Sequence, residues 1–248
     1  MINFLKDVVN ILVEYKEFFL KGIGYTMLIA LTGTIVGLVI GLITGVIRTI
    51  PKPKNTLLRY ILKAVNAIIS IYVEVFRGTP MMVQSMVIFW GYAFMNNGQT
   101  LPLIPAGIFI VSINTGAYMA EIVRGGIISI DKGQFEGSYS IGMNHFQAMI
   151  YVVIPQAIRN ILPAISNEFV INIKDTSVLN VIGVTELFFF TAKISKMNWA
   201  IFETYVVACV IYFVLTFTIT RILMYIEQCL DGPAVYQLNH TSVEEAEK

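Results

Sequence analysis

The side chains best suited to chemistry in this chain are crowded into one run, NEFVINIKDTSV (Asn167–Val178). Glu168 and Asp175 are seven residues apart, so on a helix they share a face to within ~20°, with Asn172 close to it and Lys174 pointing elsewhere. The run lies inside an apolar stretch, Ile161–Gly183, where ionisable groups are costly and by default mark a pathway or an internal pair. The chemistry on offer is charge recognition: carboxylates that hold a cation, or an ion-pair network that fixes helices. A second trio, Asn114, Tyr118 and Glu121, is spaced four and three apart on one face of another apolar stretch. It can line the same space or form a polar packing seam. Glu121 and Arg124, at i and i+3, read as a structural ion pair.

Bond-making chemistry lacks its parts. Cys209 and Cys229 have no histidine or base motif beside them and no metal or redox spacing, and read as ordinary reduced thiols. His145 and His240 have no metal-ligand partner at useful spacing and read as surface residues. An intramembrane hydrolase would need a nucleophile and base within a span. No G-x-x-x-x-G-K-[ST] phosphate loop occurs, so this chain is not expected to hydrolyse ATP itself.

The elements that must position these residues are membrane helices. Of 248 residues, 56% are hydrophobic and 13% charged, with mean hydropathy +0.72, far from a usual soluble composition. The expected fold is all-α, a single polytopic domain over residues 1–248 with about five spans: Gly24–Ile47, Met81–Met95, Leu103–Val123, Ile161–Gly183 and Ala200–Tyr225. Arg59, Lys63, Asn66 and Glu74 interrupt Thr56–Phe76, which is expected to lie at the interface or to enter the bundle partway. Lysine and arginine favour the cytoplasmic side. An outside N-terminus and inside C-terminus put Arg48, Lys52, Lys54, Arg59, Lys63, Arg77, Arg124, Lys132, Arg159, Arg221 and Lys248 inside. Residues 1–22 read as an amphipathic surface helix, 125–160 as a cytoplasmic loop and 232–248 as a cytoplasmic tail.

Two local features shape the bundle. Gly33, Gly37, Gly41 and Gly45 form a smooth ridge on the first span, read as packing within the subunit in preference to a subunit interface. In Arg77-Gly78-Thr79-Pro80, Gly78 ends one helix, Thr79 can cap the next and Pro80 fits its first position, either as a hinge near a gate or as a well-formed helix start.

The cytoplasmic loop holds EGSYSIGMNHFQAMIYVVIPQ (Glu136–Gln156): a short helix from Gln134 to Ile141, a break at Gly142, and a second helix from Asn144 or His145 until Pro155 kinks or ends it. Glu136-Gly137-Ser138, Gly142, Val152, Ile154 and Pro155 resemble the EAA loop of membrane subunits of ATP-binding-cassette importers. That pattern is E-A-A, three residues, G, nine residues, I-x-L-P. Gly137 and Ser138 replace the two alanines, and Val152 and Ile154 the Ile and Leu, all small or apolar changes. VFRGTPMMVQ (Val75–Gln84), AYMAEIVRGGI (Ala117–Ile127), KGQFEGS (Lys132–Ser138) and NEFVINIKDTSVLNVIG (Asn167–Gly183) are similar, in order, to segments of polar amino-acid permease subunits of the histidine, glutamine and arginine type.

This resemblance implies a type I importer transmembrane domain in a bacterial cytoplasmic membrane, paired with itself or a paralogue. It implies two cytoplasmic ATP-binding subunits, which bind ATP and magnesium in place of this chain, and an extracellular amino-acid-binding protein. Glu136, Gly137, Ser138 and Gly142 are then the ATPase contact. Glu168, Asn172, Lys174, Asp175, Tyr118 and Asn114 line or organise the substrate pathway, and Arg77, Gly78, Thr79 and Pro80 serve as hinge or gate. Paired carboxylates and a lysine suit a substrate carrying both ammonium and carboxylate. The rival is an ion-coupled secondary transporter, which also uses broken helices and midplane charges; a convincing inverted repeat is lacking.

Overall fold

The structure, a computed structural model, describes residues 2–231. The expected tail 232–248, with His240 and Lys248, lies outside the described residues. The regular elements among them are all helical, without a strand. In chain order the helices are α1 (Ile2–Glu14), α2 (Lys16–Ile47), α3 (Thr56–Gly78), α4 (Met81–Met95), α5 (Leu103–Ile128), α6 (Lys132–Ser140), α7 (His145–Ala148), α8 (Ile154–Asp175), α9 (Leu187–Asn198) and α10 (Ile201–Asp231). A π turn, Met149–Val153, joins α7 to α8, and a 3-10 turn, Thr176–Ile182, extends α8.

The α2–α5 seam is the most extensive contact in the molecule. The glycine ridge of α2 meets Val111, Thr115, Met119 and Val123 of α5, which repeat at the same four-residue step. A Cβ on Gly37 would fall 2.8 Å from the Cβ of Thr115, and one on Gly41 would collide with Met119. The small residues thus let two backbones approach closely, the way membrane helices gain dispersion energy when lipid offers no hydrophobic drive. The within-subunit reading of the ridge describes this seam.

Five helical stretches are long and apolar enough to cross a membrane, but they are not the five the hydropathy of the sequence suggests. Thr56–Gly78 is among them, whereas Met81–Met95 is too short. In α3 the interrupting polar residues Arg59, Lys63, Asn66 and Glu74 are spaced four, three and eight residues apart, so at ~100° per residue one strip carries all four. α3 runs antiparallel to α5: Ile69 and Val73 pack near Ala120, and the Tyr72 hydroxyl donates to the Ile113 carbonyl at 2.6 Å. α3 therefore ends beside the middle of α5, and α4 continues outward to pack Phe89 on Ala106 and Ile110. α3 and α4 together make the second crossing, so the count of five and the N-out, C-in path stand.

One boundary differs from the sequence expectation. The first spanning helix begins at Lys16, so residues 1–22 are not one surface helix; α1 ends at Glu14 and buries Ile11 against Phe19 and Val207. Arg77 lies over the Tyr118 ring and lines a groove together with Arg48 and Glu121. At Pro155 the kink alternative holds: a π turn, Met149–Val153, precedes it, and helix resumes at Ile154 and passes through Pro163 to Asp175.

Candidate functional site

The α3–α4 break leaves helix-end carbonyls that need donors. Gln84, one turn into α4, supplies them: its Nε2 lies 2.9 Å from the carbonyls of Phe76 and Thr79 and from the Thr79 hydroxyl. Asn114 of α5 completes the junction, donating to Gln84 Oε1 at 2.8 Å. Thr79 does not cap α4. Its hydroxyl donates back to Val75, and Pro80 itself occupies the capping position without a side-chain bond. The proline fixes an extended backbone there, so the new helix starts without a polar cap.

Beside this junction is a cavity of about 320 Å³, within the ~300–1,000 Å³ range of small-molecule sites. Thr79, Pro80 and Met81 form one wall, Asn114 and Tyr118 a second, and Glu168, Ile171, Asn172 and Asp175 of α8 the third. The structure thus gathers five of the six pathway residues named from sequence. Lys174 stays out: it is exposed and lines no part of the cavity, because ~100° per residue turns it away from Asp175. Asn172 is buried and fixes α8 in place. Its Nδ2 donates to Thr34 of α2 at 2.8 Å, and its Oδ1 accepts from Thr115 of α5 at 3.1 Å. Glu168 and Asp175 carry no hydrogen bond or ion pair among the described residues. The ion pairs present are those of Glu121 with Arg48 and with Arg124, the latter at 2.8 Å. Arg48, 73 residues away in sequence, was not foreseen as a partner.

Arg77, next to the break, places its guanidinium carbon 5.5 Å from the centre of the Tyr118 ring. Gly78 has no heavy atom near the position of a Cβ, so space does not fix its identity.

The loop between α5 and α8 forms a second candidate surface. Asp131 caps α6 by accepting from Gly133 N, and Asn144 and Gln147 form a reciprocal capping box that starts α7. Between them Gly142 has φ +86°, a left-handed conformation natural to glycine. Ile127, Ile130, Met149 and Val153 share an apolar cluster that seats this unit on the ends of α5 and α8. Glu136 and Gly137 are exposed, Ser138 is buried with its hydroxyl bonded to the Gln134 carbonyl, and Gly142 is exposed at the turn. Ile141 and Phe146 are 75% and 72% exposed on either side of that turn. His145 is partly exposed on this loop, with its Nδ1 3.0 Å from the Tyr139 hydroxyl.

One buried acid was missed by sequence reasoning. Glu186 is fully buried and caps α9, accepting from Phe188 N and Phe189 N, while the Tyr212 hydroxyl donates to it at 3.0 Å. Burial pushes its carboxyl above the usual range, and these three donors oppose that shift. An acid directly before the apolar run LFFF was the available signal.

Comparison with known proteins places these features in context. Residues 37–228 match the model of a family described as binding-protein-dependent transport system inner membrane component. The chain is 40% identical over 165 residues to the L-cystine transport system permease protein TcyB of Bacillus subtilis (strain 168), covering 66% of this chain and 70% of that one. It is 36% identical over 163 residues to the glutamine transport system permease protein GlnP of Escherichia coli (strain K12), covering 66% and 74%. Among solved structures, an amino acid ABC transporter crystallised with histidines aligns at 35% identity and TM-score 0.74, over 88% of this chain and 96% of that one. The inward-facing methionine ABC transporter MetNI aligns at 19% identity and TM-score 0.71, over 87% and 97%, a likeness of fold.

Proposed function

The chain belongs to the family of binding-protein-dependent transport system inner membrane components, and we propose that it serves there as the permease subunit of an ATP-driven importer of polar amino acids. The observation that carries the substrate reading is the cavity between α4, α5 and α8. Two carboxylates face a polar hollow without a direct ion pair among the described residues, and removing ionised acids from water is costly unless a counter-charge comes into contact. A substrate ammonium supplies that charge, while Asn114, Asn172 and Tyr118 offer hydrogen bonds and a ring face. The permeases for cystine and glutamine and the histidine-bound transporter, all handling amino acids, support the same class.

The energy source in this reading is a pair of ATP-binding subunits below the membrane, which hold the ATP and magnesium. The α6–α7 unit is their docking point. Exposed Ile141 and Phe146, with the Gly142 turn between them, are apolar surface that a partner covers, and Glu136, Gly137 and Ser138 on the preceding helix α6 complete the contact. Since α7, the π turn and α8 form one continuous stack from His145 to Ile182, a push on the loop reaches Glu168 and Asp175 directly. The Arg77–Pro80 break is the hinge that absorbs the motion. One copy encloses only one side of a pathway, so a second permease subunit, identical or paralogous, faces it. A binding protein delivers substrate on the outer face of a bacterial cytoplasmic membrane.

The test is uptake of a labelled amino-acid panel into proteoliposomes holding the complete transporter and its binding protein, with ATP available to the ATPases and sodium and proton ionophores present. Uptake of one amino acid, or a small group, is the expected result. Uptake only after an ion gradient is restored would favour an ion-coupled carrier.

A further inference from the structure

Tyr118 lines two hollows. On one side is the cavity with Glu168 and Asp175; on the other, toward the cytoplasmic ends of α2 and α5, is an open groove of about 520 Å³. Arg48, Ser70, Glu74, Arg77, Tyr118 and Glu121 supply its polar lining. Arg48 is already committed to Glu121. Glu74 and Arg77 are opposite charges one turn apart on α3, yet among the described residues they form no ion pair with each other or with any other group. Arg77 instead lies over Tyr118. The groove therefore offers one uncommitted carboxylate and one uncommitted guanidinium, the complement of a zwitterion's ammonium and carboxylate.

The polar lining continues away from the cavity. Asn66, Ser70, Glu74 and Arg77 fall within an arc of ~80° on α3. Such a stripe on a spanning helix is unfavourable against lipid and suits the wall of an aqueous lane.

We propose that this groove is a second, release-side subsite for the transported zwitterion, and that Arg77 stacked on Tyr118 is the movable partition between it and the upper cavity. The proposal rests on the reading of the upper cavity as the substrate site. Arg77 is suited to move. It is exposed, and a cation–π stack at an exposed site holds it only weakly. The chain break at Gly78 and Thr79 follows immediately. When the hinge turns, the guanidinium leaves the ring, the two hollows join, and the substrate carboxylate follows Arg77 while its ammonium meets Glu74.

Thiol labelling from the cytoplasmic side tests this in the assembled transporter. Inside-out vesicles carry Cys209→Ser and Cys229→Ser, with either Ser70→Cys in the groove or Ile171→Cys in the cavity, and receive a membrane-impermeant methanethiosulfonate. Ser70→Cys should react at least about tenfold faster than Ile171→Cys, a ratio equivalent to ~1.4 kcal/mol. Adding Arg77→Ala should bring Ile171→Cys up to the Ser70→Cys rate; Arg77→Lys, which retains the charge and loses the planar stack, should give an intermediate rate. Equal rates with Arg77 in place, or an Ile171→Cys rate unmoved by both substitutions, would overturn the partition. Uptake by the unsubstituted transporter together with equal rates contradicts the partition alone, whereas absent ATP-driven uptake with the tenfold difference intact contradicts the substrate reading beneath it. For the subsite, Glu74→Gln should lower the maximal uptake rate without raising the half-saturating substrate concentration, and an unchanged maximal rate would count against it.

Discussion

Two faces of α5 are built by different physics. Toward α2, the helix meets a ridge of four glycines with Val111, Thr115, Met119 and Val123, and the backbones lie so close that an added Cβ has no room. Toward α3 and α4, the same helix meets a broken crossing whose ends are tied by Gln84 and Asn114, next to cavities and an arginine without an ion-pair partner. The first face has one packing and no alternative. The second is held by a few hydrogen bonds and a stack that can be exchanged for others. The contrast supports the proposal that the α2–α5 pair is the frame and the α3–α4 break the moving part.

Substitutions can break or sharpen this contrast. Gly41→Leu drives a side chain into Met119 and the α5 backbone; at ~3 kcal/mol or more it should remove folded protein, read as lost yield and lost thermal midpoint in detergent. Gln84→Ala leaves the Phe76 and Thr79 carbonyls and the Asn114 amide short of a partner. It should cost ~1–3 kcal/mol and increase protease sensitivity at the break more than elsewhere. Equal sensitivity across both faces of α5 would erase the distinction between frame and hinge. Asn172→Ala removes two interhelical side-chain bonds worth ~0.6 kcal/mol each, a midpoint shift smaller than that of Gly41→Leu. Asn144→Ala removes one half of the capping box, ~1 kcal/mol confined to the loop. It should loosen α7, seen as faster amide exchange over residues 144–148, while the seam is unaffected.

Local features of this fold were legible because short-range chemistry decides them. The Gly142 turn, the start of α7 near Asn144, the glycine ridge and the Glu121–Arg124 pair each follow from residues within a turn or two of one another. The α3–α4 crossing was not legible. Hydropathy scores a segment alone, whereas α3 tolerates its polar residues by turning them to one strip, and α4 can be short because α3 has already covered part of the depth. The same reason hid Gln84, whose value appears only when two helix ends meet, and Arg48, whose partner is far away in sequence. Pro155 marked the irregularity, a π turn just before it, without deciding whether the helix would continue. The convergence of Asn114 and Tyr118 with Glu168, Asn172 and Asp175 was readable from helix periodicity. Excluding Lys174 required knowing which face of α8 turns inward.

The most direct measurement is uptake by Asp175→Asn in the reconstituted transporter, alongside its thermal midpoint and its co-purification with the ATPase subunits. The change keeps the size of the side chain and removes the charge facing the cavity. If the cavity is the substrate site, ATP-driven uptake falls to background while midpoint and assembly match the unsubstituted protein. Uptake that survives, or assembly that fails along with it, would contradict the account and make the carboxylate a structural member of the bundle.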